Sequence, residues 1–342
     1  MSSQMTIQQI AELAEVSRST VSRVLNDHPS VRPEVRDRVL QVIGEQGYAP
    51  QAAARSLASK RTNTLGLLIP RSAAIIFSDP FFGQIIQGMT EASSKRGYFL
   101  MLSMVSGAME RDFYTRVLRS RSVDGLLMVS SDIDDPILPL LIKDNLPMML
   151  IGDHPYLNPV NWIDSENREG ARIATNHLVG LGHRRIATIT GFLQMSAAID
   201  RFNGYKQALL EANIPVTPEL IEYGDYTQES GYQAMRRLLM ATPRPSAVFA
   251  ANDMMAMGAL RAIHEAGLSV PNDIAIVGFD DIPMAAFANP PLTTMRQPIA
   301  EMGALAANTL IDQLEGLADP GANIRLPTKL VVRGSSGATP TE

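Results

Sequence analysis

The sequence predicts a small all-α domain followed by an α/β body of two lobes, each built on a doubly wound parallel sheet. Three observations lead to this prediction. The first sixty residues contain three short segments with helical apolar spacing, the following stretch alternates short apolar runs with amphipathic helical segments, and 342 residues suit two or three domains. Two sets of apolar runs exceed one open sheet of ordinary size, so we expect two lobes that face each other across a cleft.

Composition and charge restrict the class of protein. Apolar residues make up 45% and charged residues 19%, as in an ordinary globular protein, and no apolar run approaches the ~20 residues of a membrane-spanning helix. The N-terminus lacks the basic and apolar regions of a secretory signal, so we expect a cytoplasmic protein without a membrane partner. The absence of cysteine excludes disulfides and thiolate metal sites.

The net charge of −5 is unevenly distributed. Residues 1–61 hold eight basic and six acidic side chains, which gives +2, and the remainder carries −7. A polyanionic partner would therefore meet the N-terminal part, although such a segment is also compatible with an ordinary solvated surface.

The first two helices are predicted by their caps. Thr6 and Gln9 have the spacing of a capping box, and Ser17 can cap a second helix two or three residues after the first one ends. So short a turn is typical of a helix-turn-helix motif.

The second helix has an apolar side and a polar side. Val21, Val24 and Leu25 cluster on the first, and the polar side and its flanks carry only hydroxyls and arginines, without an acid: Arg18, Ser19, Thr20, Ser22 and Arg23. Arginine can bind guanine bidentately and hydroxyls reach phosphates, which suits a helix in a major groove. An ordinary solvated helix face remains the alternative.

A third helix and a linker complete the N-terminal part. The helix is predicted from Pro33 to Gly47, with Val35, Val39, Val42 and Ile43 as its buried stripe. Residues 51–58 are either a plain alanine-rich linker or a hinge that folds only on a surface, with Leu57 as an apolar wedge.

In the body, polar side chains follow the predicted strands. Short apolar runs predict strands at 65–69, 99–105, 125–129, 148–151, 185–190, 247–251 and 274–277. The side chains near their carboxyl ends, which we expect to share one cleft, are Asp79, Asp153, Arg201, Asn252, Asp253, Asp280 and Asp281, with the aromatics Phe81, Phe82 and Tyr226. Such groups bind vicinal hydroxyls and cover a sugar face, although helix capping is the alternative for each single aspartate.

The motifs, taken in order, are those of a known family. TIQQIAELAEVSRSTVSRVLN and VRPEVRDRVLQVIGEQGYAPQAAARSLASKRTNTLGLLIP are followed by SDPFFGQIIQGM, HLVGLGHRRIATITG, DRFNGYKQAL, AANDMMAMGALRAIHEAGLSVPNDIAIVGFDD and PPLTTMRQP. Over about residues 5–333, the chain resembles the lactose/galactose repressor (LacI/GalR) family of bacterial transcription regulators.

This resemblance implies a DNA-contacting role for the N-terminal part. The helix that begins at Ser17 would be the recognition helix, with Arg18, Ser19 and Arg23 facing bases and Thr6, Ser17, Thr20, Ser22 and Asn26 nearer the DNA backbone. Leu57 would be levered into the minor groove from a hinge helix. The implied organisation is a DNA-binding domain at 5–49, a hinge at 50–61 and an effector-binding and dimerisation domain at 62–334.

The resemblance also implies that the body is similar to periplasmic sugar-binding proteins. Its N-lobe would span about 62–163 and 296–322, and its C-lobe about 164–293 and 323–334, before a disordered tail at 335–342. The implied effector contacts are Asp79, Phe81, Asp153, Arg201, Tyr226, Asn252 and Asp280. A C-terminus without a leucine heptad implies a homodimer rather than a tetramer. The expected function is repression of a pseudo-palindromic operator under allosteric control by a small molecule, a sugar or sugar derivative.

Two other function classes remain as alternatives. A sugar-binding or sugar-sensing protein without operator specificity would have a similar body, but it would not need a helix-turn-helix. An enzyme is disfavoured because the sequence has no dinucleotide fingerprint, no Walker loop and no nucleophile elbow. The five histidines show no metal-ligand spacing, so we expect no cofactor, no metal and no catalytic residue.

Overall fold

The computed structural model describes residues 5–25, 28–48, 61–104, 112, 114–119, 122–129, 132–154, 160–319, 321 and 323–339. Contacts along the chain divide it into two units, Met1–Thr62 and Asn63–Glu342. Asn26, Leu57 and nearly all of the predicted hinge at 50–61 lie outside the described residues.

The described part of the first unit consists of helices α1 (Ile7–Leu13), α2 (Arg18–Leu25) and α3 (Pro33–Gln46). The capping box of α1 is confirmed, because the Thr6 amide donates to Gln9 Oε1 at 2.8 Å and the Gln9 amide donates to Thr6 Oγ1 at 3.3 Å. Gly47 ends α3 in the left-handed conformation, with φ 58°.

A small apolar core joins these three helices. Its buried members are Ile10, Ala11, Ala14, Val21, Val24 and Val39. Of the stripe predicted for α3, only Val39 is fully buried, whereas Val42 and Ile43 pack at the edge of the core. Three short helices enclose too little volume to bury a longer stripe.

The described part of the second unit contains two six-stranded sheets. The N-lobe sheet has the order β11-β5-β4-β3-β1-β2, and its pairings are all parallel. The strands are β1 (Thr64–Ile69), β2 (Phe99–Met104), β3 (Gly125–Val129), β4 (Met148–Ile151), β5 (Asn161–Ser165) and β11 (Asn323–Leu326). The central strands are apolar and buried on both faces, as parallel strands between helical layers require.

The C-lobe sheet has the order β12-β10-β9-β8-β6-β7. All its pairings are parallel except that β12 runs antiparallel to β10. The strands are β6 (Ile186–Thr190), β7 (Ile221–Tyr223), β8 (Ala247–Ala250), β9 (Ala275–Asp280), β10 (Thr293–Arg296) and β12 (Lys329–Val331).

Helices cover the faces of both sheets. In the N-lobe they are α4 (Ala73–Ser78), α5 (Pro80–Lys95), α6 (Leu138–Lys143) and α11 (Ile299–Glu315), with a π-helical turn at Tyr114–Leu118. In the C-lobe they are α7 (Asn167–Gly180), α8 (Ser196–Glu211), α9 (Gln228–Leu238) and α10 (Asp253–Glu265).

The described chain passes between the lobes three times. The first crossover follows β5, the second joins β10 to α11, and the third joins β11 to β12. The third lies later than the predicted boundary at 323, because β11 pairs with β5 and still belongs to the N-lobe. The first likewise follows Ser165 rather than residue 163. Short edge strands such as β11 lack the apolar run that would have revealed them.

The prediction of a disordered tail at 335–342 is wrong for its first two residues. Ser335 and Ser336 are buried in a short 3-10 turn, Gly334–Ser336. The Ser335 hydroxyl donates to the Ile276 carbonyl at 2.7 Å and accepts from the Thr293 amide at 2.8 Å. A run of small polar residues suggests a solvated tail, but here the hydroxyls satisfy backbone groups at the sheet.

Candidate functional site

A cleft between the lobes collects most of the polar residues predicted at the strand ends. The prediction is wrong for Asp253 and Asp281, which do not line the cleft. Asp253 bonds to the Thr294 hydroxyl and the Ile282 amide, and Asp281 pairs with Arg296 and Arg333.

The cleft encloses a cavity of about 240 Å³. The seven residues expected to contact an effector all line it: Asp79, Phe81, Asp153, Arg201, Tyr226, Asn252 and Asp280. The carboxyl ends of parallel strands from two sheets meet at this edge, which explains why residues far apart in sequence converge.

Arg201, on α8, is the central cation of the cleft and is only 5% exposed. Its Nε donates to Asn167 Oδ1 at 2.8 Å and its Nη1 to the Ala251 carbonyl at 2.6 Å. Nη1 also lies 3.4 Å from Asp280 Oδ1, and the guanidinium stacks 3.9 Å above the centre of the Phe279 ring. This planar fork is held on several sides, so it presents a fixed orientation to a ligand.

Three carboxyl groups in the cleft have raised pKa values, those of Asp280 and Asp164, which are buried, and that of Asp79, which is half-buried. Burial raises the pKa of Asp280 to about 7, against the opposing attraction of Arg201. Burial also raises the pKa of Asp164 and of Asp79 to about 6. Ligand hydroxyls that donate to these carboxyl groups favour their ionised form.

Asp79 and Asn252 serve as helix caps as well as cleft residues. Asp79 Oδ1 accepts from the Phe81 amide at 2.9 Å at the start of α5. Asn252 Oδ1 accepts from the Met255 amide at 2.9 Å at the start of α10, while its Nδ2 donates to the Tyr226 carbonyl at 3.0 Å. The capping alternative and the cleft prediction are thus both met, because Asp79 has a second carboxyl oxygen and Asn252 has a second amide hydrogen and a second lone pair for a ligand.

Tyr226 has an unusual backbone and a buried hydroxyl. Its φ is +72°, and it lies so close to Gly191 that a Cβ there would stand 2.2 Å from the ring. Burial raises its pKa to about 12, and its hydroxyl has no hydrogen-bond partner within the described residues. An unpaired buried hydroxyl in a cleft is available to a polar ligand.

Asp153 is committed to an ion pair at the cleft edge. Its Oδ2 lies 2.5 Å from Arg325 Nη2, and its backbone amide donates to Asp164 Oδ2 at 3.1 Å. Asp153 therefore reaches the cavity with its charge already partly compensated.

Several lining residues were not predicted, among them Arg71, Asp164, Phe192, Ser196, Asp225 and Gln297. Phe192 stands two positions after β6, so the end of that strand was an available signal. Asp164 and Gln297 lie at crossovers without an apolar run, and nothing in their local sequence distinguishes them.

The lobes touch at the mouth of the cleft. The Arg71 guanidinium of the N-lobe lies 5.6 Å from the centre of the Phe192 ring of the C-lobe. Arg71 also pairs with Asp132 at 2.5 Å, and the Ile133 amide donates to the Gln194 carbonyl at 2.8 Å. The Arg71–Phe192 contact and the Ile133–Gln194 bond therefore join the two lobes at the mouth of the cleft.

The first unit presents most of the predicted DNA-contact residues on α2 or directly before it. Ser17, Arg18, Ser19 and Arg23 are exposed, and Thr20 and Ser22 are half-buried. The Ser17 hydroxyl accepts from the Thr20 amide at 3.1 Å, so it also caps α2. Thr6 is exposed at the start of α1.

The described residues hold neither a cluster of metal ligands nor a membrane-spanning helix. They contain no group of three or more acidic or histidine side chains placed to hold a metal ion. None of their helices is both long enough and apolar enough to cross a membrane.

Comparison with family models matches both units. Residues 6–51 match the model of the bacterial regulatory proteins, lacI family, and residues 175–336 match the periplasmic binding protein-like domain.

Individual relatives match almost end to end. The HTH-type transcriptional regulator CelR of Thermobifida fusca is 39% identical over 333 residues, covering 96% of this chain and 98% of the relative. A structure of a CelR–cellobiose complex has a TM-score of 0.78 at 38% identity and covers 97% of this chain and 99% of the other. The lac repressor dimer bound to operator and the anti-inducer ONPF has a TM-score of 0.86 at 32% identity, with 98% and 100% covered.

Proposed function

The chain belongs to the lacI family of bacterial regulatory proteins, and on that premise we propose that it is a transcriptional repressor controlled by a sugar. It binds operator DNA as a homodimer, and a small-molecule effector in the cleft controls that binding. Its relatives are regulators rather than enzymes. We place it in the cytoplasm, where its DNA partner would be.

The observation that carries this proposal is the convergence of bidentate polar groups and aromatic rings in one interlobe cleft. Arg201, Asn252 and Asp280 can each bind neighbouring hydroxyls, and Phe81 offers a ring edge-on to Phe82 at 5.5 Å. Apolar rings beside a few fixed polar groups are typical of small-ligand sites. We propose all seven predicted residues as effector contacts, with Asp153 as a rim contact.

The charge of the cleft favours an uncharged sugar over a phosphorylated one. The carboxylates among its described lining residues are Asp79, Asp153, Asp164, Asp225 and Asp280, against the cations Arg71 and Arg201. Both arginines already bond carboxylates, Asp132 and Asp280 respectively. A phosphate would have to displace one of these pairs and approach the other carboxylates of the cleft. Since a CelR structure holds cellobiose, that neutral disaccharide is the first probe to use.

For the DNA side, we propose that α2 enters the major groove. Arg18, Ser19 and Arg23 would face bases, and Thr6, Ser17, Thr20, Ser22 and Asn26 would lie nearer the phosphates. We further propose that segment 50–61 is a hinge whose Leu57 wedges into the minor groove, between a DNA-binding domain at 5–49 and the effector-binding body.

The proposal is tested with the DNA upstream of the protein's own gene. A labelled fragment is titrated with the full-length protein in excess random-sequence competitor, with and without each sugar of a panel that includes cellobiose and cellobiose phosphate. We expect a preference for the fragment that a neutral sugar alters and its phosphate does not. Binding without preference over the competitor would contradict the repressor function, and an effect of the phosphate alone would contradict the neutral-sugar proposal.

A further inference from the structure

The three crossovers between the lobes are joined by hydrogen bonds that also reach the cleft. Ser165 ends β5 at the first crossover, and Gln297 lies at the second, between β10 and α11. The Ser165 hydroxyl donates to Gln297 Oε1 at 2.5 Å. At the third crossover, the Leu326 carbonyl accepts from the Glu166 amide at 2.9 Å.

Gln297 connects this set of bonds to the cleft. Its Nε2 donates to Asp280 Oδ1 at 2.5 Å, and its backbone amide donates to the Asp280 carbonyl at 3.2 Å. Asp280 in turn lies against Arg201. One side chain therefore contacts both the first crossover and a carboxylate proposed to bind the effector.

The bonds close into a ring through the first crossover. Arg201 donates to Asn167, and Asn167 Nδ2 donates to Asp164 Oδ1 at 2.8 Å. Asp164 Oδ1 also accepts from the Ser165 amide at 2.7 Å. We call this set the crossover ring; its members are Asp164, Ser165, Asn167, Arg201, Asp280 and Gln297, and each is at most 6% exposed.

A glutamine is well suited to the position between Ser165 and Asp280. Its amide oxygen accepts from the serine hydroxyl while its amide nitrogen donates to the carboxylate. A glutamate there would place a second acid against Asp280. An apolar residue would leave the buried Ser165 hydroxyl without its acceptor and Asp280 Oδ1 with only the 3.4 Å contact to Arg201.

We propose that Gln297 is a positioning residue that couples lobe closure to the effector contacts Arg201 and Asp280 by bridging the first two crossovers. The identity of the cleft as the effector site rests on the proposed function, whereas the bridging itself does not. Effector bonds to Asp280 or Arg201 and the angle between the lobes then change together, because the same buried bonds hold both.

The experiment measures the distance between the lobes. Because the chain contains no cysteine, spin labels can be placed at two exposed positions, Ser94→Cys on α5 and Ala266→Cys after α10. Doubly labelled full-length chains are diluted into unlabelled protein, and the distance distribution is recorded by electron double resonance without ligand.

Two variants test the bridge. Gln297→Leu removes both side-chain bonds, and Ser165→Ala removes only the bond to the first crossover. The matched control is Thr188→Val, which removes a buried hydroxyl bond to the Phe249 carbonyl within the C-lobe sheet. Ser165→Ala deletes a single hydroxyl, so it remains informative if Gln297→Leu does not fold, which circular dichroism establishes.

We expect Ser165→Ala to lower the ratio of closed to open chains about fivefold, the effect of losing one buried hydrogen bond, and Gln297→Leu, which loses two, to lower it further. The control should keep the wild-type ratio. A wild-type distribution in Ser165→Ala would overturn the bridge, and so would an equal shift in Thr188→Val. Repeating the measurement with cellobiose separates the proposed effector from the proposed role of Gln297. If cellobiose leaves the wild-type distance distribution unchanged, the choice of ligand is wrong. The comparison of variants without ligand still decides the role of Gln297.

Discussion

Replacing Asp280 by asparagine changes how the stability of the protein depends on pH. Asp280 is 4% exposed, and its pKa is raised from the ordinary 3.8 to about 7 by burial. At pH values between these two pKa values, the Asp280 carboxyl is ionised in the unfolded chain and protonated in the folded chain. Unfolding therefore releases a proton, and the stability that Asp280 contributes below about pH 4 is lost as the pH rises through 7.

The magnitude follows from this proton. One proton released on unfolding lowers the free energy of unfolding by up to about 1.4 kcal/mol per pH unit, and by roughly 4 kcal/mol across the whole window. Asp280→Asn removes this contribution and keeps an oxygen that can accept from Gln297 Nε2. The pH dependence of the variant is then shallower than that of the wild type between pH 4 and 7.

The assay is urea unfolding followed by circular dichroism at several pH values, at one fixed protein concentration. The difference in free energy of unfolding between Asp280→Asn and wild type should change by about 1.4 kcal/mol per pH unit between pH 5 and 6.5, in favour of the variant as the pH rises. Two parallel curves would refute the reasoning, because Asp280 would then be ionised in the folded protein throughout.

Three further predictions concern the proposed binding sites. Arg23→Ala should weaken binding to the gene's own upstream DNA by about 1–3 kcal/mol but random DNA far less, and equal losses in a competition titration would rule out base contact by this residue. Gly191→Ala forces the Tyr226 ring aside, so calorimetry should show at least about tenfold weaker binding of the sugar that alters DNA binding. An unchanged affinity would count against a ligand contact by Tyr226. Phe192→Ala removes the ring beneath Arg71 at the mouth, so stopped-flow dissociation of the sugar should be about two- to fivefold faster, whereas an unchanged rate would mean that this contact does not limit exit.

The sequence predicted the apolar strands that are buried on both faces, but it did not reveal β5 and β10, which are largely buried and contain polar residues such as Asp164 and Thr293. Runs such as Leu65–Ile69 and Gly125–Val129 became central strands, because a parallel strand between helical layers must be apolar on both sides. The edge strand β11 has alternating half-buried and exposed side chains and no such run, so the third crossover was placed too early.

The cleft was predictable where polar residues follow central strands. Asp153 follows β4 and Asn252 follows β8, and parallel topology brings such positions together. Gln297 and Ser165 could not be identified in this way, since their importance lies in a bond between positions 132 residues apart. Only the three-dimensional arrangement of the crossovers reveals that contact.

The central claim is that sugar and operator binding are coupled in one homodimer. The direct measurement is a complete thermodynamic cycle, in which the operator Kd is determined with and without saturating sugar, and the sugar Kd with and without operator. We expect both ratios to differ from one and to be equal in size, typically 5- to 150-fold, because coupling between two sites is reciprocal. If the sugar binds the cleft and both ratios equal one, the protein senses a sugar without controlling DNA binding, and the account is contradicted.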